Sequence, residues 1–130
     1  MPAGLRVHHL ALRSRDPARL ARFYGDLLGL AVARRDEARG SVWLRAGAVV
    51  LMIERAPASE PAPDPGSQEL LAFGLDPASD RPGLDAWRAR LDAAGVGVEA
   101  ETAFTIYFRD PEGRKVALSV YDFDRAATAG

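Results

Sequence analysis

Residues 7–30 read VHHLALRSRDPARLARFYGDLLGL, an apolar strand followed by an amphipathic helix that stops at a glycine. The pattern predicts a strand from Val7 to Leu12 and a helix from Asp16 to Leu28. Three more strands are predicted between Leu30 and Glu54. This stretch is therefore expected to form one βαβββ unit.

The second half of the chain repeats the same order of elements. A strand is predicted from Leu70 to Leu75, a helix from Pro82 to Ala94, and the remaining strands from Val96 to Tyr121. Neither unit can bury its sheet face alone, so the repeat predicts an α+β domain of two paired βαβββ modules about a pseudo-two-fold axis. Any pocket is then expected between the modules.

The chain is interpreted as one domain, 1–130, in which module one spans 5–55 and module two spans 69–123. The segment between them, 56–68, contains alternating prolines, which disfavour helix and central strand and stiffen it towards polyproline II. A stiff linker can place the second module beside the first or onto a partner chain. The sequence leaves both arrangements open.

Composition narrows the classes of partner. The chain has 130 residues, a formal net charge of -1, no cysteine and 48% hydrophobic residues. Its arginines are interspersed with acids, so nucleic acid is not an expected partner. No apolar run approaches the roughly 20 residues that span a bilayer, and no thiol is available for disulfide or thiolate chemistry. We therefore expect a cytoplasmic protein without a nucleic-acid or membrane partner.

The most specific local motif lies in the last third of the chain. Residues 107–115 read YFRDPEGRK, in which Asp-Pro-Glu-Gly supplies a turn between two antiparallel strands. With HHLAL at 8–12 and FYGDLLGL at 23–30, this motif makes the chain resemble the vicinal oxygen chelate superfamily. That superfamily includes glyoxalase I, bleomycin-resistance proteins, fosfomycin-resistance enzymes and extradiol dioxygenases.

The resemblance covers Val7 to Tyr121 and carries expectations about architecture. It implies paired βαβββ modules that form a cupped mixed sheet around a ligand, usually in a homodimer. It leaves the activity open, because one fold can host isomerases, transferases, oxygenases and binding proteins.

The resemblance also implies where a metal would bind. Metal-dependent relatives use a histidine on the first strand, a histidine on the first strand of the second module and a glutamate on the last strand. These positions fall on His9, Leu70 and Ala117, so one ligand is retained and two are missing. Some relatives add a glutamate on the fourth strand, where Glu54 is the nearest carboxylate.

The residues themselves also argue against a metal. The two histidines, His8 and His9, are adjacent on one predicted strand and are expected to point to opposite faces, so both could not reach one metal. His9 and Glu54 remain as weak metal candidates, and a one-residue register shift would turn Glu54 to the wrong face. We expect no cofactor, with a divalent metal as the less favoured alternative.

Strand alternation and the resemblance together place several side chains in the cup, where they form an apolar and aromatic small-molecule pocket. The expected pocket residues are His9, Trp43, Met52, Glu54, Leu70, Tyr107, Ala117, Ser119 and Tyr121. The candidates for acid–base catalysis among them are His9, Glu54 and Tyr107.

Three functions stay open. The favoured one is a metal-independent protein of the bleomycin-resistance type, a homodimer that sequesters a small molecule at a degenerate metal site. The alternative is a glyoxalase-like lyase or dioxygenase-like enzyme that uses His9 with or without a divalent metal. An acid–base enzyme of this kind needs His9 and Glu54 within about 3 Å of one substrate atom. The third is a structural or regulatory module whose cup is filled by its own side chains.

Overall fold

The computed structural model describes residues 1–124, and the chain divides into two compact units between Pro63 and Asp64. Each unit contains one four-stranded mixed sheet with a helical crossover. The α+β class and the repeated βαβββ order predicted from the sequence are confirmed. Within residues 1–124, no helix has the length and apolarity needed to cross a membrane.

The first unit follows the predicted order of elements. They are β1 (His9–Ser14), α1 (Pro17–Ala21), a π-helical segment (Arg22–Leu27), β2 (Ala31–Asp36), β3 (Ser41–Ala46) and β4 (Val49–Arg55). The strands lie in the order β1-β4-β3-β2, and β1 runs parallel to β4 while the other pairs are antiparallel. A parallel pair needs a long crossover, which the helix and the β2–β3 hairpin provide here.

The helix of the first unit begins as an α-helix and continues with a wider turn. The Asp16 carboxylate caps it by accepting a first-turn backbone N–H, and the following residue is a proline. Further along, the backbone N–H of Leu28 donates to the carbonyl of Phe23 at 3.1 Å, a five-residue spacing. The wider turn accompanies the burial of two consecutive aromatic residues, Phe23 and Tyr24. Gly29, at φ 81°, then ends the helix.

The helix covers one face of the first sheet, and the core lies between them. Its fully or nearly fully buried apolar members are Leu12, Leu20, Phe23, Tyr24, Leu28, Val42, Leu44, Leu51 and Ile53. Because strand side chains alternate, the other face carries a second set, which we call the helix-free face. Strand pairing assigns to it His9, Ala11, Arg13, Arg34, Asp36, Ser41, Trp43, Arg45, Val50, Met52 and Glu54.

The second unit repeats this plan with shorter strands. Its elements are β5 (Leu70–Gly74), α2 (Arg81–Ala93), β6 (Ala100–Glu101), β7 (Thr105–Arg109) and β8 (Lys115–Ser119). The strand order is β5-β8-β7-β6, with β5 parallel to β8. Asp110 fixes the predicted β7–β8 turn, because its buried carboxylate accepts the backbone N–H groups of Glu112 at 2.8 Å and Arg114 at 3.1 Å.

Candidate functional site

Two rows of side chains cross the helix-free face of the first sheet from β2 to β4. The first row is Arg34, Trp43 and Met52. The second row, nearer the end of β4, is Asp36, Ser41 and Glu54. The rows are neighbours because residues two apart on a strand point to the same face, about 7 Å from each other.

The Glu54 carboxylate is half-buried and is held by two neutral donors. Trp43 Nε1 donates to Oε1 at 3.0 Å, and the hydroxyl of Ser41 donates to Oε2. Ser41 is only 6% exposed, so its hydroxyl is directed by the packing of β3. No basic side chain within residues 1–124 forms an ion pair with Glu54. The carboxylate is therefore oriented by the protein without a direct ion-pair partner among the described residues.

Charged groups surround this carboxylate at the end of the sheet. The guanidinium Cζ of Arg34 lies 5.2 Å from the centroid of the Trp43 ring, a cation–π contact. Arg39 forms a long, exposed ion pair with Asp36, at 3.9 Å between Nε and Oδ2. These residues surround a cavity of about 100 Å³. It is lined by Arg34, Asp36, Arg39, Ser41, Trp43 and Glu54. Pockets for drug-sized ligands have roughly 300–1,000 Å³, so this cavity encloses only the polar part of such a ligand.

His9 lies on the same face but at the opposite end of the strands. It pairs with Val50 on β4, whereas Glu54 pairs with Arg13, four residues further along β1. Four residues correspond to about 13 Å along a strand. His9 and Glu54 are therefore too far apart to act together on one substrate atom.

The two histidine rings contact each other. Their Nδ1 atoms are 3.0 Å apart and the rings are edge to face, so the prediction that His8 and His9 point to opposite faces is wrong. The reason is that β1 begins at His9, and strand alternation does not extend to His8. Both side chains are exposed, and the contact is a hydrogen bond between imidazoles.

The remaining expected pocket residues belong to the second unit. Pairing places Leu70, Tyr107, Ala117 and Ser119 on one face of its sheet. Ala117 is fully buried, while Leu70 is 45% exposed. The Ser119 hydroxyl contacts that of Thr105 at 2.8 Å, and the ammonium of Lys115 lies 5.1 Å from the Tyr107 ring centroid. None of these contacts joins the Tyr107 hydroxyl to an acidic or basic group that could exchange a proton with it.

Tyr121 lies beyond the end of β8, in a small exposed aromatic cluster. Its ring is edge to face with Phe104 at 5.5 Å and with Phe123 at 5.0 Å. These three rings are between 43% and 78% exposed. Tyr121 is therefore not on a sheet face with the other second-unit residues.

A metal of the kind that the resemblance implies does not fit these residues. Leu70 and Ala117 offer no lone pairs, and the residue beside His9 on β4 is Val50. The two carboxylate oxygens of Glu54 accept hydrogen bonds from Ser41 and Trp43. No group of three or more His, Cys, Asp or Glu side chains able to hold a metal ion occurs in the part of the chain that the structure describes.

Sequence reasoning missed four members of the cavity: Arg34, Asp36, Arg39 and Ser41. The usable signal was the segment RRDEARGS at 34–41, a hairpin turn whose Gly40 has φ 67°. Aligning the strands about that turn places Asp36 opposite Ser41. The β-bulge between Val32 and Arg34, which turns Arg34 towards Trp43, has no clear mark in the sequence.

Comparison with known proteins places the chain in a family. The model of the Glyoxalase/Bleomycin resistance protein/Dioxygenase superfamily matches residues 6–118. No curated protein matches the sequence.

Solved structures show the same fold at low sequence identity. FosX, a genomically encoded fosfomycin resistance protein from Listeria monocytogenes, is 15% identical, with a TM-score of 0.75 and 100% of both chains covered. The lactoylglutathione lyase from Agrobacterium tumefaciens is 24% identical, with a TM-score of 0.69 over 91% of this chain and 95% of the lyase. A glyoxalase/dioxygenase from Nostoc punctiforme is 22% identical, with a TM-score of 0.70 over 91% of this chain and 96% of that protein.

At these identities the structural likeness establishes the fold and no activity. The family model, in contrast, spans most of the chain and agrees with the repeated βαβββ order. The chain belongs to the Glyoxalase/Bleomycin resistance protein/Dioxygenase superfamily.

Proposed function

We propose that this protein binds a small molecule with a positively charged group, without a metal, in the cavity beside Glu54 and Trp43. The observation that carries the proposal is the Glu54 carboxylate, which two neutral donors orient and with which no basic side chain within residues 1–124 forms an ion pair. A half-buried carboxylate in this setting is stabilised by a cation that also donates hydrogen bonds. The indole of Trp43 supplies adjacent aromatic surface for the apolar part of the ligand.

This proposal corresponds to a binding protein of the bleomycin-resistance type, which sequesters its ligand as a homodimer in the cytoplasm. We favour binding over catalysis because His9 and Glu54 lie about 13 Å apart along the strands. A lyase or dioxygenase that relies on both residues would need them at one substrate atom. The missing donors at Leu70 and Ala117 support metal-independent binding at a degenerate site.

Fluorescence of Trp43 tests the proposal directly. The chain contains two tryptophans, so a Trp87→Phe background leaves Trp43 as the reporter. Benzylamine, a cation with one aromatic ring, is titrated in the presence of EDTA. We expect a saturable change in emission that is lost in Glu54→Gln and retained in Glu69→Gln, which removes an exposed carboxylate from the second unit.

Two results would contradict the proposal. One is a response that appears only when a divalent metal is added. The other is a response that Glu54→Gln leaves unchanged. Elemental analysis of protein purified without chelators supplies an independent check, because stoichiometric nickel, zinc, iron or manganese held below micromolar would overturn metal-independent binding.

A further inference from the structure

We infer that the ligand bound at this cavity is a zwitterion, whose negative group is held by Arg34 and whose positive group is held by Glu54. This inference rests on the proposed function and narrows its ligand class. It adds a second charged contact to the one that Glu54 makes.

Arg34 is the observation that the proposed function leaves unused. Its guanidinium stacks on Trp43, yet within residues 1–124 it has no carboxylate partner. Arg39, on the same cavity wall, is paired with Asp36. A guanidinium has five N–H donors in a planar fork that matches a carboxylate or phosphate. Arg34 is therefore available to an anionic group of a ligand.

The cavity thus contains one unpaired cation and one unpaired anion. Arg34 and Glu54 both lack an ion-pair partner among the described residues, while the other two charged groups of the lining are paired with each other. A ligand with only a positive charge would be attracted by Glu54 and repelled by Arg34, and a ligand with only a negative charge would meet the reverse. A zwitterion satisfies both groups at once.

The indole of Trp43 sets the distance between the two charges. Arg34 lies over the ring face, and Glu54 accepts from the ring N–H at 3.0 Å. Their charges are therefore separated by no more than one ring and its two contacts. Two opposite charges on one small molecule can span this distance, and a single ring between them provides an apolar part that matched probes can share.

A matched set of three probes tests the inference: benzylamine, benzoate and 4-(aminomethyl)benzoate. They share one ring and differ in carrying the positive charge, the negative charge or both. Dissociation constants are measured from Trp43 emission in the Trp87→Phe background. Since partly exposed ion pairs are worth up to about 1 kcal/mol, we expect the zwitterion to bind about fivefold more tightly than benzylamine.

Variants then assign the added affinity to one side chain. We expect Arg34→Gln to bring the affinity for the zwitterion down to that for benzylamine, without weakening benzylamine itself. Arg45→Gln is the matched control, because it removes the same charge from the same sheet face, from a position beside Val50. That variant should leave all three dissociation constants unchanged. A thermal unfolding scan confirms that both variants are folded.

The outcomes separate this inference from the proposed function. If benzylamine and the zwitterion both fail to bind, both are overturned. If benzylamine binds and the zwitterion binds no more tightly, only the zwitterion inference is overturned. The inference also fails if benzoate binds most tightly, or if Arg34→Gln weakens benzylamine and the zwitterion equally. That last result would identify Arg34 as a support for Trp43.

Discussion

Replacing Ser41 with alanine removes one of the two donors that hold the Glu54 carboxylate. The substitution keeps the β3 backbone and deletes only a hydroxyl that is nearly buried. Hydrogen bonds to charged groups contribute roughly 1.5–3 kcal/mol to stability. Glu54 is half-buried, so water can replace part of the lost bond. We therefore expect Ser41→Ala to lower the free energy of unfolding by about 1.5 kcal/mol, at the low end of that range.

Urea unfolding of a double-mutant cycle measures whether the stability lost in Ser41→Ala comes from the hydrogen bond between Ser41 and Glu54. The cycle uses Ser41→Ala, Glu54→Gln and the double variant, followed by far-UV circular dichroism. If the hydroxyl acts through the carboxylate, the two effects should be non-additive by about 1 kcal/mol. Additivity within about 0.5 kcal/mol would refute this reasoning, because Ser41 would then stabilise the strand independently of Glu54. The proposal that Ser41 orients the Glu54 carboxylate for a ligand would then lose its support.

Three further predictions address the scaffold and its charges. Ala117→Glu places a carboxylate at a fully buried position and should cost several kcal/mol in urea unfolding, more than the polar but neutral Ala117→Ser. Asp16→Ala removes the helix cap and should lower the free energy of unfolding by about 1 kcal/mol in the same assay, whereas Asp16→Asn, which can still cap the helix, should retain most of the stability. Hydrogen bonds from Arg81 and Arg88 lower the pKa of Glu101, so its stabilising contribution is present above the ordinary carboxyl pKa and is lost as the pH falls through the lowered value. Glu101→Gln should therefore reduce the melting temperature at neutral pH and leave it unchanged in strongly acidic solution; an equal reduction at both would contradict the assignment.

The order of elements could be predicted because local signals agree with the burial pattern. Asp16 and Gly29 bracket the first helix, and the turn at Asp110 fixes the last hairpin. Apolar alternation on β4 gives the same buried face that the structure shows, with Leu51 and Ile53 inward. Each of these signals acts within a few residues of the element it defines, so no long-range information is required.

Two local features escaped prediction for a physical reason. The π-helical segment arises where Leu28 bonds to Phe23 instead of to Tyr24, and apolar spacing alone does not distinguish these two partners. The predicted start of β1 is two residues earlier than the observed one, because Val7 and His8 continue the apolar strand pattern; of the two, His8 still accepts the backbone N–H of Val50 at 3.3 Å, just before the paired register begins at His9. The contact between the two histidine rings follows from that difference.

The environment of Glu54 depends on contacts between strands, which the sequence of one strand does not determine. The sequence predicts Glu54 as a pocket residue and as a candidate metal ligand or acid–base catalyst. The structure gives a different environment, since the register of β3 on β4 brings Ser41 and Trp43 to its two oxygens. Arg34 reaches the same ring only because a bulge shifts β2 by one residue. Such register effects need the turn and the bulge to be known first.

The distribution of polar groups explains why the candidate site lies away from the histidine. At the His9 end of the helix-free face, the neighbouring side chains Ala11 and Val50 have no donor or acceptor atoms, and Arg45 lies beyond Val50 on β3. At the other end, the hydroxyl of Ser41 and the ring N–H of Trp43 both donate to the Glu54 carboxylate. The Glu54 cavity does not depend on Leu70 or Ala117, because neither residue lines it. The proposed recognition of a charged ligand in this first unit therefore depends on the strand register that assembles the cavity, and it requires no metal.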